Sequence, residues 1–287
     1  MNQSNLYTLY IMVEAPRIRI TYENIRFTKN KKIIKASGAS YKKIGINLED
    51  YMIRKLWFAG KYIFLCLVKN NSPTYIVRTH MLMYGKIVVN DILVNPKLTP
   101  FLKLELNDGT ILTWYLSQIK ILDPKCSNDE IKSNYTICSS KKTIQDSFQM
   151  VKYDISNQNY EIKTHLNHLK AGMLELHDQM VVDFLLDQKY FPGIGNILQQ
   201  EALYRCRVLP TKKLSETTTA MLKCLVKKLA HVINLLYESY HAKKKNEPHR
   251  PIFCIYHKKY CPLGHKTITK YLGYHNRRTT WCPICQI

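Results

Sequence analysis

The sequence predicts an α+β chain of three parts, and three observations predict it. From about Lys32 to Leu122 the apolar residues fall in short blocks of strand length and strand composition. Beyond residue 146 they recur instead at helical spacing. Near the C-terminus, Cys261-Pro-Leu-Gly-His265, sixteen residues and then Cys282-Pro-Ile-Cys285 bring three thiols and an imidazole into register.

In chain order, strands are predicted over Tyr62–Val68, Thr74–Val77, Lys86–Val89, Phe101–Leu106 and Ile111–Leu116. Asp108-Gly109 between the last two is a two-residue hairpin signal, since glycine enters left-handed backbone without steric cost. Residues 123–146 are polar (Pro124, Ser127, Asn128, Ser133, Asn134) and lack an apolar period, as in a linker or an insertion. Leu222, Leu225, Val226, Leu229, Val232, Ile233 and Leu236 mark the core-facing stripe of a long helix, with Ser215 as its N-cap. The divisions drawn are a leader at 1–11, a β-rich domain at 12–122, the polar stretch at 123–146, a helical domain at 147–248 and a hairpin at 249–287.

Cys261, His265, Cys282 and Cys285 supply the four soft-to-borderline ligands of a closed tetrahedral Zn²⁺ site, with no position left for substrate. Such a zinc is structural. The alternative is two thiol pairs without metal. The sixteen residues between the halves suit a hairpin, with Thr267, Ile268, Thr269 and Tyr271 rising and Thr279, Thr280 and Trp281 descending. Arg277 and Arg278 stand at its tip.

Charge points to a polyanionic partner. Lys and Arg number 43 against 21 Asp and Glu, a formal net charge of +22 over 287 residues, and such an excess favours phosphate backbones through counterion release. From Ala242 onward there are ten Lys or Arg and one acid, Glu247. No apolar run approaches the roughly 20 residues of a membrane span, and no basic amphipathic anchor competes. An odd cysteine count of nine without a cleavable signal argues for an intracellular, reducing compartment, nucleus or cytoplasm. Cys66, Cys126, Cys138, Cys206 and Cys224 are expected to be free thiols.

The most specific helical segment runs from Leu185 through Gln188, Pro192, Gly193, Gly195, Asn196 and Glu201 to Arg205. One helix is predicted to end near Tyr190, the glycines to make a tight turn, and a second helix to start at Asn196. Unpaired N–H groups at that start, beside the Asn196 amide, would seat a phosphate. An ordinary helical hairpin with a glycine turn is the plainer alternative.

On these residues the chain resembles the formamidopyrimidine-DNA glycosylase/endonuclease VIII family. Gln188…Gly193-Ile-Gly195-Asn196…Glu201-Ala-Leu-Tyr matches its helix–two-turn–helix motif, and Arg277-x-Thr279-x-x-Cys282-Pro-x-Cys285-Gln286 matches its finger. A histidine as second finger ligand is similar to the second vertebrate endonuclease VIII-like paralogue. The likeness runs from Met12 to the end. It implies an N-terminal β-sandwich, a helix–two-turn–helix domain and a C-terminal zinc finger.

Family members attack with the amino group exposed when the initiator Met is removed, and a Glu follows it. The matching text here is Met12-Val13-Glu14-Ala15-Pro16, where the family usually reads Met-Pro-Glu-Gly-Pro. The resemblance thus makes Val13 the nucleophile, Glu14 a proton carrier and Lys61 the catalytic lysine. It also groups Arg277 with the catalytic residues and sets Arg277 and Asn196 on the DNA backbone. An α-amine keeps a useful neutral fraction near neutral pH, its pKa lying at about 7.7–8. Valine is also used by the third vertebrate paralogue. Eleven residues precede Met12, and the reading favours Met12 as the true first residue, because an amide nitrogen at Val13 could not attack. Arg17, where an acid is common, lies beside the implied pocket.

Thr79-His80-Met-Leu-Met-Tyr84-Gly85 aligns with the family loop that fills the hole left by a flipped nucleotide, so Leu82, Met83 and Tyr84 are wedge candidates. Plain core is the alternative for them. His80 is expected to make a structural hydrogen bond. Taken together, the resemblance implies a monomeric bifunctional enzyme of base excision repair. It would excise oxidised bases from damaged DNA, duplex or partly single-stranded, and nick the abasic site by β- or δ-elimination. The rival expectation is a catalytically silent zinc-finger protein that binds damaged or single-stranded DNA.

Overall fold

The computed structural model describes residues 13–90, 98–123, 130–131, 136–138, 144–145, 148–244 and 253–287. The leader and Met12 lie outside that range. Two compact units divide the chain: Met1–Val13 with Ile18–Phe148, and Glu14–Arg17 with Gln149–Ile287. The first helix, α1 (Ala15–Ile25), runs from one into the other. Pro16 is tolerated in its first turn, where backbone N–H groups have no intrahelical acceptor.

The first unit is a β-sandwich. One sheet has four strands in the order β1 (Ile33–Ser37), β6 (Leu102–Leu106), β7 (Ile111–Tyr115) and β5 (Lys86–Val89). The other is ordered β2 (Met52–Ala59), β3 (Tyr62–Val68), β4 (Tyr75–His80), β8 (Gln118–Asp123), β10 (Thr136–Cys138) and β9 (Glu130–Ile131). A short helix, α2 (Tyr41–Ile44), follows β1. Period-2 burial is cleanest in β6, where Leu102, Leu104 and Leu106 are buried and Lys103 and Glu105 half-buried. Ile33, Ile53, Ile63, Leu65, Leu67, Leu112 and Trp114 complete the dry interior, each buried aliphatic side chain contributing about 1.5–3 kcal/mol. Trp114 Nε1 donates to Thr79 Oγ1 at 3.0 Å, so its one polar atom is satisfied inside that core. On the far face of the six-stranded sheet Trp57 stacks on Phe64 (ring centroids 4.9 Å) and Phe148 on Trp57 (4.4 Å).

Five strands, β1, β2, β8, β9 and β10, extend the sequence reading. β2 was not predicted; a register shift between Ile53 and Lys55 breaks its alternation. β8 pairs antiparallel with β4. The polar stretch contributes β9 and β10, the latter parallel to β8, and most of its remainder lies outside the described residues. The hairpin at Asp108-Gly109 forms, but its loop has three residues rather than two: Leu106 N–H donates to Thr110 O at 2.8 Å, and Asn107, Asp108 and Gly109 (φ 83) lie between them.

The second unit is helical: α3 (Ile162–Glu175), α4 (Val181–Leu186), α5 (Asn196–Arg205) and α6 (Thr219–Lys244), followed by the hairpin β11 (Ile268–Leu272) and β12 (Arg277–Trp281). The predicted stripe from Leu222 to Leu236 on α6 is buried against Leu198, Leu203, Phe184 and Phe191. Ser215 is not its N-cap: it sits in a 3₁₀ turn over Leu214–Glu216, and Thr218 Oγ1 instead accepts the N–H of Met221 at 3.2 Å.

Cys206 and Cys224 are not free thiols. They are joined in a disulfide, because the end of α5 and the second turn of α6 pack with these Cα atoms 5.9 Å apart. Cys66 is a free thiol, as expected, and so is Cys254, which the sequence reading passed over; Cys126 lies outside the described residues. Among the described residues, no helix is long and apolar enough to cross a membrane.

Candidate nucleic-acid interface and metal centre

In the second unit the turn between α4 and α5 is built by one side chain. Gln188 Nε2 donates to the carbonyls of Leu186 (2.8 Å) and Ile194 (2.9 Å), and its Oε1 accepts the N–H of Gly193 (3.0 Å). One carbonyl orphaned by the helix end and two backbone groups of the turn itself are thereby satisfied. The helix stops at Leu186 rather than near Tyr190, because Asp187 is already extended (φ −71, ψ 114). Gly193 takes φ 84, which favours glycine. A Cβ on Gly195 would stand 2.5 Å from Cδ of Glu14 and push that carboxylate from its place.

That carboxylate corrects the expected phosphate seat. Glu14 Oε1 accepts the N–H of Ile197 at 2.9 Å and Oε2 that of Leu198 at 3.1 Å. The positive end of α5 is therefore taken up by a carboxylate of the chain itself, held where the dipole favours an anion. Asn196, at the head of the same helix, is buried and gives Nδ2 to the carbonyl of Arg278 at 2.9 Å. Gln200 one turn on donates to that same carbonyl (3.1 Å) and accepts the N–H of Thr280 (2.8 Å). Glu201, fully buried, accepts the N–H groups of Cys254, Ile255 and Tyr256, each at 2.9 Å, and pairs with Arg205. One helix thus fixes both the entry segment of the finger and the strand bearing its arginines.

The four predicted ligands converge. One donor atom from each of Cys261, His265, Cys282 and Cys285 lies within 4.8 Å of the others. His265 Nδ1 is 3.7 Å from Cys261 Sγ and 3.2 Å from Cys285 Sγ, and the two sulfurs are 3.9 Å apart. Bonds of about 2.0–2.3 Å to a tetrahedral centre put ligand atoms about 3.5–3.8 Å apart, so the cage fits a metal ion. Burial opposes a thiolate at Cys261, yet backbone N–H groups at His265 and Leu263 bring it down to about 6. Burial and the neighbouring sulfurs push Cys285 up to about 11. Packed thiols of this kind cannot all ionise unless a cation joins them.

Arg277 and Arg278 are both exposed at the end of the hairpin. Tyr256, which the sequence reading missed, lies buried beside them: burial first and then the charge of Glu14 raise its hydroxyl pKa, while Arg277 and Arg278 lower it. Glu14, Tyr256 and the finger arginines therefore share one electrostatic environment. Tyr240 of α6 feels Arg17 and Glu14 in opposite senses, though burial dominates its upward shift. A signal for Tyr256 was present in Phe253-Cys-Ile-Tyr256-His257, an aromatic run entering the finger.

In the first unit Val13 is buried in the sandwich core. Lys61 follows Gly60 (φ 59) in the two-residue turn between β2 and β3, next to the paired Tyr62 and His80. Burial lowers the pKa of His80, and the charges of Lys61 and Arg78 lower it further, which keeps the ring neutral at pH 7. Leu82, Met83 and Tyr84 are about half exposed, at 50%, 48% and 52%, so plain core is not their environment. They sit on a turn closed by Gly85 N–H to Met81 O at 2.7 Å, with Leu82 at φ 47 and Met81 as the buried anchor.

Residues 148–244 match the family model of the formamidopyrimidine-DNA glycosylase H2TH domain. An endonuclease 8-like protein of Acanthamoeba polyphaga mimivirus is 52% identical over 276 residues, 96% of this chain and 100% of the relative. Endonuclease 8-like 2 of Mus musculus is 36% identical over 115 residues, 38% of this chain and 32% of that protein. The crystal structure of a viral DNA glycosylase superimposes with a TM-score of 0.89 at 51% identity, covering 96% of this chain and 100% of the other. With the sandwich, the glutamine-stapled turn between helices and the Cys₃His hairpin all in place, the chain belongs to the formamidopyrimidine-DNA glycosylase/endonuclease VIII family.

Proposed function

We propose that this protein is a base excision repair DNA glycosylase that removes oxidised bases from duplex or partly single-stranded DNA and then nicks the strand as an abasic-site lyase. The observation that carries the reading is Glu14. It follows the proposed nucleophile Val13 directly, and two backbone N–H groups fix its carboxylate. In the proposed reaction the Val13 amine attacks C1′. The new N–C1′ bond forms as the glycosidic bond breaks, and the base departs with a proton. The sugar ring then opens: the C1′–O4′ bond breaks as the nitrogen lone pair forms the C1′=N bond, and O4′ takes a proton. The resulting Schiff base makes the 2′ proton acidic; its removal expels the 3′ phosphate by β-elimination, and water releases the amine. Glu14 moves protons at the sugar, as positioned carboxylates do. Lys61 supplies positive charge in the first unit and Arg277 holds a phosphate, while Asn196, buried against the Arg278 carbonyl, positions the strand that carries it. Leu82, Met83 and Tyr84 occupy the gap left by the extruded nucleotide; their exposure supports that role.

The Cys₃His donor set and its spacing support zinc, which would fix the hairpin without touching substrate. The competing reading, a silent reader of damaged or single-stranded DNA, is favoured by one sequence fact: eleven residues precede Met12. With those residues retained, the Val13 nitrogen is an amide and has lost its lone pair to resonance.

Borohydride trapping on abasic-site DNA tests the choice. Protein carrying a free Val13 amine is expected to be trapped covalently, and protein beginning at Met1 far less. Lys61 is the confounder, since a lysine amine also forms Schiff bases. Trapping of the long form that disappears only with Lys61→Ala would show that the wrong nitrogen had been assigned.

A further inference from the structure

Two arginines stand side by side on β12, and a strand sends adjacent side chains to opposite faces. Register identifies the faces: Arg277 lies across from Leu272, and Arg278 across from Tyr271. Thr269 and Thr280 share the Tyr271–Arg278 face, with their hydroxyls 3.0 Å apart. The two side chains thus leave the strand on opposite faces, Arg278 on that of Tyr271.

Arg278 is held at both ends. Its carbonyl receives the buried Asn196 and Gln200 amides at 2.9 and 3.1 Å. Its guanidinium Nη1 donates to Nδ1 of His257 at 3.1 Å. His257 sits at φ 56, in the left-handed region that side-chain-bearing residues rarely adopt. Across the ribbon, Tyr271 leaves 67% of its surface exposed.

We propose that the Tyr271–Arg278 face of the hairpin is a second nucleic-acid contact that holds an unpaired DNA segment, one base stacked on Tyr271 and an adjacent phosphate on Arg278, with His257 as positioning residue for the guanidinium. The proposal rests on the DNA-repair reading above. Charge complementarity names a polyanion, since the chain from Ala242 onward carries ten Lys or Arg and one acid. The exposed ring beside a cation narrows that to bases free to stack, because a paired base keeps its faces inside the duplex. A plain anionic surface would engage Arg278 and leave Tyr271 idle.

The test uses the full chain with its metal, titrated with a labelled single-stranded oligonucleotide and with a blunt duplex of the same sequence over a salt series. Tyr271→Thr, which keeps strand propensity, is expected to weaken single-strand binding about tenfold and duplex binding distinctly less; Tyr271→Phe keeps the ring and the affinity. Arg278→Ala is expected to weaken single-strand binding and lower its salt slope by about 0.7. His257→Leu should reproduce part of that loss. His257→Asn, which tolerates left-handed backbone and still offers an acceptor, should restore it. Metal content and melting temperature confirm that each variant is folded. Unchanged single-strand affinity in folded Tyr271→Thr, or equal losses on both DNAs, would overturn the proposal. Loss in Arg278→Ala alone would reduce the face to a charged surface and overturn it equally. Borohydride trapping of the parent protein is read separately, so failure of the enzyme reading leaves these outcomes interpretable.

Discussion

Glu14 and Ile197 lie 183 residues apart in sequence, yet the Glu14 carboxylate accepts the Ile197 N–H at 2.9 Å and that of Leu198 at 3.1 Å. The proposed proton carrier is therefore also an anion at the positive end of a helix. Glu14→Gln keeps one acceptor and turns an NH₂ toward N–H donors, at a cost of about 1–2 kcal/mol. Calorimetry should show a melting temperature lowered by a few degrees. Base excision should fall about a hundredfold or more, and trapping on a preformed abasic site much less. Equal losses in both assays would remove Glu14 from the chemistry and leave it a helix cap.

Metal analysis is expected to find one zinc per chain. Chelation should loosen the hairpin, because a two-stranded ribbon is marginal alone, and should weaken DNA binding while the sandwich stays folded. Protein made with zinc available that carries no stoichiometric metal would end this idea.

Arg277→Ala should reduce affinity for lesion DNA and lower the salt slope by about one, as for a single lost phosphate contact. An unchanged slope with full nicking would place Arg277 outside the interface.

His165 makes stability depend on pH. It is fully buried, with Nε2 against the Tyr190 carbonyl at 2.7 Å and Nδ1 against the Tyr160 hydroxyl at 3.0 Å. Burial is the main reason its pKa falls from 6.5 to about 4. Between these values the unfolded chain binds the proton and the folded one does not, so stability rises with pH across that window. The contribution is complete above about 6.5 and gone below about 4, on the order of 3 kcal/mol in all. Urea unfolding midpoints from pH 7 to pH 4 should show this slope, and His165→Gln should flatten it. A slope that survives the substitution would assign it to other groups.

Local patterns were legible in the sequence and distant pairings were not. The Cys₃His cage, the α6 stripe and the hairpin at Asp108-Gly109 each depend on spacing within a short window, and each formed where spacing placed it. Strand β2 was hidden by its own bulge, and the stop at Leu186 by the Gln188 side chain, whose contacts no apolar period encodes. A helix N-terminus advertises affinity for an anion but not which anion, so the physics behind the expected phosphate seat was sound and its occupant was Glu14. The Cys206–Cys224 link was missed because it depends on how two helices pack.

The amides of Asn196 and Gln200 have one more effect. By engaging Arg278 O and Thr280 N they close the outer edge of β12, the row of backbone groups through which a stray strand would add itself. The other edge belongs to β11, where Lys270 and the flanking Lys266 are exposed charges that discourage recruitment. A ribbon this small, on a basic protein that must crowd onto DNA, is thereby protected from zippering onto its neighbours.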